Sequence, residues 1–262
     1  MQRCLVILGR VEQAHGLLDM AAQVMARVGG ARMDVLAARE PADGQPDRGV
    51  RDSQLQWADS LHTVFRQWKE RAYGAGTWRP DQIEVNWLDP EITVDRIVSG
   101  YGKDADLLVL GFPDPRDSAQ KQAATRAAIF DTGRPVLFVP PFWERPSGDH
   151  IFLAWKDTPG CRRAFTAARS FMGFAKSVTV VVPVGVTLPL DVLPGVSPTV
   201  RELPSTDNAT QAGRTILDMA HAAQADMLVI GGYEHGALYN RLMGSVTDEI
   251  LSQPDMPVLL QH

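Results

Sequence analysis

Near the C-terminus, three residues suited to holding phosphate stand in one short stretch. Gly231 closes an apolar run, and Gly244 and Ser245 immediately precede a run that reads as a helix. Glycines let backbone N–H groups approach an anion, and a serine hydroxyl at a helix N-terminus adds a donor where the helix dipole is positive. Ile230, Gly232 and Val246 complete the backbone of such a site, and the intervening loop carries Glu234 and His235. A second reading fits the same letters. Ser245-Val246-Thr247-Asp248 is a Ser-x-x-Asp helix cap, with Gly244 as the turn before it. His235, beside Glu234, is the one histidine placed for a site role; the plainer alternative is a solvated loop residue.

These residues need a strand to deliver them and a helix to receive them. Asp226-Met-Leu-Val-Ile-Gly231 is a continuous apolar strand, and Met256 to Gln261 is another. The frame recurs earlier, where Asp106-Leu-Leu-Val-Leu-Gly111 leads to Arg134-Pro-Val-Leu-Phe-Val139. Around it, strands are expected at Cys4–Leu8, Met33–Ala38 and Ile83–Leu88, with helices after Gly9, near 91–101 and over 117–130. Trp57, Leu61, Phe65, Trp68 and Ala72 mark one face of a further long helix, and Pro41 to Asp52 reads as a loop. The second half restarts at Ile151. Thr158-Pro159 opens a helix, Ser177–Val184 and Thr199–Leu203 are strands, and Asp207 or Asn208 caps a helix through Ala223. Only a Pro/Gly-rich stretch separates those two strands, so a loop or single turn is expected there instead of a crossover helix. Strands alternating with helices predict parallel, doubly wound sheets with right-handed crossovers.

The Gly231, Gly244 and Ser245 spacing, with the repeated frame, resembles the universal stress protein family, whose signature is a Gly-x2-Gly-x9-Gly-Ser/Thr loop between its fourth strand and fourth helix. The whole chain is similar to the tandem form. The resemblance implies two Rossmann-like (adenine nucleotide alpha hydrolase-like) domains, each a five-stranded parallel sheet flanked by helices, related by pseudo-twofold symmetry. The domains would be 1–141 and 150–262, joined by a Pro/Ser/Gly-rich linker, with the final strands of the two halves meeting as an intramolecular pseudo-dimer. A further homodimer is compatible with this arrangement. The implied ligand is ATP or another adenine nucleotide, bound in the second domain, with no covalently attached group.

Two positions depart from the family pattern. Glu234 stands where the family has its second motif glycine; at about 6 Å and an effective dielectric of about 20, one such charge pair is worth roughly 3 kcal/mol, repulsive toward phosphate. In Ala154-Trp155-Lys156-Asp157-Thr158, Lys156 takes the place of an aspartate that contacts the nucleoside in the family, and Asp157 follows one residue later. Lys156 reads either as a phosphate contact or as a solvated strand-end lysine. Between Gly111 and Pro135 there is neither a glycine loop nor a Gly-Ser step, and Pro113 and Pro115 remove backbone donors. The first half therefore reads as a scaffold without a nucleotide site of this type.

Composition narrows the function further. A chain of 262 residues accommodates two domains. A net charge of −5 with scattered Lys and Arg gives no footprint for nucleic acid or an anionic membrane. The run Val178–Val186 is too short to span a bilayer, and Cys4–Leu8 is too short for a signal-peptide core. Two cysteines, Cys4 and Cys161, form no cluster and fit a reducing cytoplasm. The six histidines have no metal-ligand spacing, and there is no nucleophile elbow or Walker loop. The expectation is a cytoplasmic stress-response binding or signalling module without catalytic residues, a slow ATPase being the only enzymatic variant. The alternative is a nucleotide-free module of the same fold that binds a protein partner.

Overall fold

Five apolar residues in a row leave a strand no solvent face, and Cys4 to Leu8 are accordingly all buried in β1 (Arg3–Leu8). The computed structural model describes residues 1–38, 48–74, 83–89, 94–232, 245–253 and 255–262. They fall into two compact units, Met1–Arg134 and Pro135–His262.

In the first unit β1 is followed by α1 (Val11–Val28), β2 (Arg32–Ala37), α2 (Arg48–Gly74), β3 (Glu84–Leu88), α3 (Val94–Lys103), β4 (Leu107–Gly111) and α4 (Ala119–Phe130). The strands pair in parallel in the order β3-β2-β1-β4. Helix α1 stops where Gly29 adopts φ 65°, a left-handed conformation that glycine enters without a Cβ penalty, and its N–H caps Met25 O. Leu61, Phe65 and Trp68 of α2 are buried as the helical spacing predicts. The helix begins at Arg48, so residues 48–52, expected in the preceding loop, extend it. Adding residues to an existing helix costs little, and no proline follows Pro46 to stop it.

The second unit contains β5 (Val136–Val139), β6 (His150–Ala154), α5 (Pro159–Met172), β7 (Ser177–Pro183), β8 (Thr199–Leu203), α6 (Ala209–Ala222), β9 (Met227–Gly231), α7 (Val246–Leu251) and β10 (Val258–Gln261). Five strands run parallel in the order β10-β9-β6-β7-β8. Strand β5 pairs antiparallel with β10, placing Phe138 opposite Val258 and Val136 opposite Leu260. Strand β5, expected as the last strand of the first half, thus lies in the second unit and pairs there with the last strand of the chain's second half. No helix forms between β7 and β8, and residues 184–198 cross as turns and extended chain, as their Pro/Gly content predicts.

Candidate functional site

Parallel α/β sheets collect loops at the C-terminal ends of their strands, and in the second unit these ends surround a cavity of about 400 Å³. Strand β6 delivers Ala154, and the loop after it delivers Trp155, Lys156 and Thr158. Strand β9 delivers Ile230, Gly231 and Gly232, and the start of α7 delivers Ser245, Val246 and Thr247. Seven residues read from the sequence therefore come together around one space: Ala154, Lys156, Ile230, Gly231, Gly232, Ser245 and Val246. Asp157 is not among the lining residues. It is exposed and turned to Arg162, with Oδ1 accepting from Nε at 2.8 Å. Glu234, His235 and Gly244 lie outside the described residues.

The remaining wall is apolar. Pro183 and Leu203 close the ends of β7 and β8, and Ala209, Ala212 and Ile216 form one face of α6. Sequence reasoning assigned none of these to the site. Their spacing, three then four along α6, marks a face turned inward but does not say whether a side chain or a cavity lies opposite. The small alanines leave the space open.

Gly231 is also a point of close packing. A Cβ there would lie 2.6 Å from the backbone nitrogen of Cys161 and 2.8 Å from its Cα, so β9 meets the first turn of α5 with no room for a side chain. That turn is organised by Thr158, whose Oγ1 accepts the Cys161 N–H at 3.2 Å, and by Pro159 at the first helical position. The Cys161 thiol, buried at the cavity wall, donates to Ala154 O at 3.4 Å and accepts from Lys156 N at 3.5 Å. Burial pushes its pKa up to about 11, with the Lys156 and Gly231 amides opposing. Trp155 is braced by Phe165, with ring centroids 5.2 Å apart, and by the Arg162 guanidinium 5.4 Å above its ring. Asp191 also pairs with Arg162, at 3.3 Å.

Ser245 caps α7, its Oγ accepting the Asp248 N–H at 3.0 Å. The capping reading is thus realised, and the hydroxyl proton still has the cavity within its reach as a donor. Asp248 and Glu249 fill the first turn of α7, setting negative charge beside Ser245. Glu249 is paired with Arg214, its Oε1 accepting from Nε at 2.7 Å, and Lys156 is the cation among the lining residues.

In the first unit, side chains of the unit itself lie over the ends of β1 and β4. The Lys121 stem lies over Gly9, where a Cβ would fall 2.7 Å from its Cδ and Cε, and Gln13 Oε1 lies 2.5 Å from the place of a Cβ on Gly111. Asp117, with its side chain only 3% exposed, accepts from Lys121 Nζ at 2.9 Å and pairs with Arg10, which also meets Asp114 at 3.4 Å. Burial pulls the Lys121 ammonium below its ordinary pKa, and Asp117 opposes this. Ionic contacts of the chain itself stand where a ligand would enter.

Residues 200–262, which run from β8 through α6 and the cavity-lining end of β9 to β10, match the model of the universal stress protein family. The C-terminal part of the chain carries a universal stress protein domain. The fold agrees over nearly the full length. A universal stress protein from Archaeoglobus fulgidus DSM 4304 superposes with a TM-score of 0.72 at 14% identity, covering 98% of this chain and 95% of that one. A functionally unknown protein from Pseudomonas aeruginosa PAO1 gives 0.56 at 18% identity, covering 100% and 92%. A protein described as a candidate universal stress protein from Pseudomonas aeruginosa UCBPP-PA14 gives 0.54 at 18% identity, covering 100% and 93%. At these identities the likeness is one of fold. No curated protein sequence matches the chain. Among the described residues, no helix is long and apolar enough to cross a membrane, and no group of three His, Cys, Asp or Glu side chains could hold a metal ion.

Proposed function

We propose that the chain is a tandem universal stress protein, a cytoplasmic stress-response module whose second unit binds a small adenine-type ligand. The observation that carries this reading is the cavity of about 400 Å³ at the ends of β6, β7, β8 and β9. Its volume lies within the usual range for small-molecule sites, about 300–1,000 Å³, and its wall is apolar with a few convergent polar groups, Lys156, Thr158 and Ser245. Glu234, at the motif position that the family fills with glycine, brings a negative charge that favours adenosine or a monophosphate over ATP. The first unit, closed by Arg10, Asp117 and Lys121, serves as scaffold, so one ligand binds per chain. The module acts by binding; a slow ATPase is the only enzymatic variant of this reading.

Calorimetric titration with adenosine, AMP and ATP tests it, together with mass spectrometry of small molecules released on denaturing the purified protein. The expected result is one saturable site for adenosine or AMP, lost in Ala212→Phe, which fills the cavity from α6. Failure of all three to bind at millimolar concentration would remove the ligand reading. The second reading, a nucleotide-free interaction module, is favoured by one observation: Ser245, the hydroxyl offered to phosphate, is already engaged as the cap of α7.

A further inference from the structure

The two units can be aligned strand by strand through their registers. In the first, Val109, Val6, Val35 and Trp87 form one row across β4, β1, β2 and β3. In the second, Val229, Leu153, Val180 and Val200 form the same row across β9, β6, β7 and β8. Gly111 and Gly231, two residues beyond the first member of each row, face α1 and α5 respectively. Both rows therefore lie on the face covered by the first helix of their unit, and Val200 holds the place of Trp87.

What covers that place differs. In the first unit α2 lies over the edge strand, with His62 and Phe65 ring centroids 4.8 and 5.4 Å from that of Trp87. Helix α2 is fixed to its neighbours by Trp68 Nε1 donating to Asp19 at 2.7 Å and by Lys69 Nζ donating to Val85 O at 2.8 Å. In the second unit no such helix exists. The 184–198 segment tucks in Val192 and Leu193 but turns Val184, Val186 and Leu190 outward at 58%, 40% and 97% exposure, and Val200 is 49% exposed. Isolated exposed apolar residues are ordinary; here four fall within seventeen residues, in and just after the segment that stands where the other unit carries a covering helix.

We propose that this outer face of the second unit docks an amphipathic helix from a partner protein, in the place that α2 occupies in the first unit. The occupant is a helix with aromatic or aliphatic side chains at i, i+4 and i+7, the spacing of Leu61, Phe65 and Trp68. Addition of a strand is disfavoured, because β8 carries Arg201 and Glu202 on its exposed edge.

The chain's own α2 supplies the probe. A fluorescently labelled synthetic peptide of residues 56–73 is titrated with the full-length protein and followed by anisotropy. Saturable binding below about 0.1 mM is expected, weakened at least tenfold by Val200→Asp, by Leu190→Asp and by Phe65→Ala within the peptide. Leu190 is almost wholly exposed, so its variant keeps the test valid should Val200→Asp perturb the fold. Absence of saturable binding overturns the proposal, as does binding indifferent to both surface variants. A wild-type dimer in sedimentation that Val200→Asp dissociates would also overturn it, since the face would then belong to a second copy of the chain.

Discussion

The carboxylate of Asp226 accepts a hydrogen bond from the Gly148 N–H at 2.7 Å, joining the start of β9 to the chain entering β6. The N–H groups of Asp149 and His150 turn to the same carboxylate at 3.1 Å. Asp106 does this in the first unit, where its Oδ2 accepts from the N–H groups of Gln2 and Arg3 at the entry to β1. One device therefore sets the stagger of the central strand pair in each unit. Asp226→Ala should lower stability by about 2–4 kcal/mol, because several backbone donors lose a charged acceptor. Urea denaturation measures it, and a loss under 1 kcal/mol would contradict the assignment.

Asp106 also carries a pH signature. Burial works against its ionisation, but the Gln2 and Arg3 amides and Arg134 outweigh that and hold its pKa below the ordinary 3.8. A depressed pKa in the folded state means that its contribution is complete above the unfolded value and is lost as pH falls through the folded one. Asp106→Asn should therefore be less stable than wild type at pH 6, with the difference shrinking below pH 4. A gap unchanged down to pH 2 would show that the carboxylate charge is not the cause.

Asp34, fully buried in β2, anchors three strands at once. Its Oδ2 accepts from Arg3 Nε at 2.8 Å, and its Oδ1 accepts from Arg32 Nε at 2.8 Å and Asn86 Nδ2 at 3.2 Å. Removing the carboxylate leaves two partly exposed guanidinium groups, Arg3 and Arg32, without their counter-charge. Asp34→Ala should cost about 1–3 kcal/mol, with Arg3→Met partly rescuing it in the double variant. Additive losses in that cycle would count against direct coupling.

How much of this could be read from the letters depends on the residue. Apolar runs such as Leu107–Leu110 and caps such as Thr158-Pro159 are local, and their structural consequence is local too. Asp106 and Asp226 stood in plain sight at the head of the repeated frame. Their partners, however, lie 104 and 78 residues away, and no spacing rule reaches that far. Gly231 was legible as the end of an apolar strand, but its closeness to Cys161 was not, because packing of a helix against a strand end is a three-dimensional fact. The cavity wall was hidden for a related reason: Ala212 and Ile216 look like any core-facing pair, and a void is defined by what is missing opposite them.

Both thiols should be inert in the folded protein. Burial raises Cys4 far above the usual range and Cys161 to about 11 from 9.0, so Cys161 presents about a hundredfold less thiolate than an ordinary cysteine at pH 8. Ellman's reagent at pH 8 should label neither within minutes and both after unfolding in guanidinium. Fast labelling of Cys161 in the native protein would mean that the β6–α5 turn opens far more readily than its hydrogen bonds to Ala154 and Lys156 imply.

The charge balance at the mouth of the cavity gives the last prediction. Glu249 in the first turn of α7 is offset by Arg214 at 2.7 Å, whereas Glu234, which lies outside the described residues, stands at the motif position that the family fills with glycine. Replacing Glu234 with glycine removes a charge and restores backbone access. Affinity for ATP should rise about tenfold to a hundredfold, corresponding to the roughly 3 kcal/mol available from one charge pair reduced by solvent screening. Affinity for adenosine should be nearly unchanged, since it brings no phosphate to repel. Ser245→Ala in that background should lose about 1 kcal/mol of the gain and also loosen α7 by removing its cap. Calorimetric titration of wild type, Glu234→Gly and the double variant separates these effects, with Ala212→Phe as the blocked control. If Glu234→Gly gains as much for adenosine as for ATP, the effect is one of loop access and the charge argument fails. Should it bind neither at millimolar concentration, the interaction-module reading becomes the better account of the second unit.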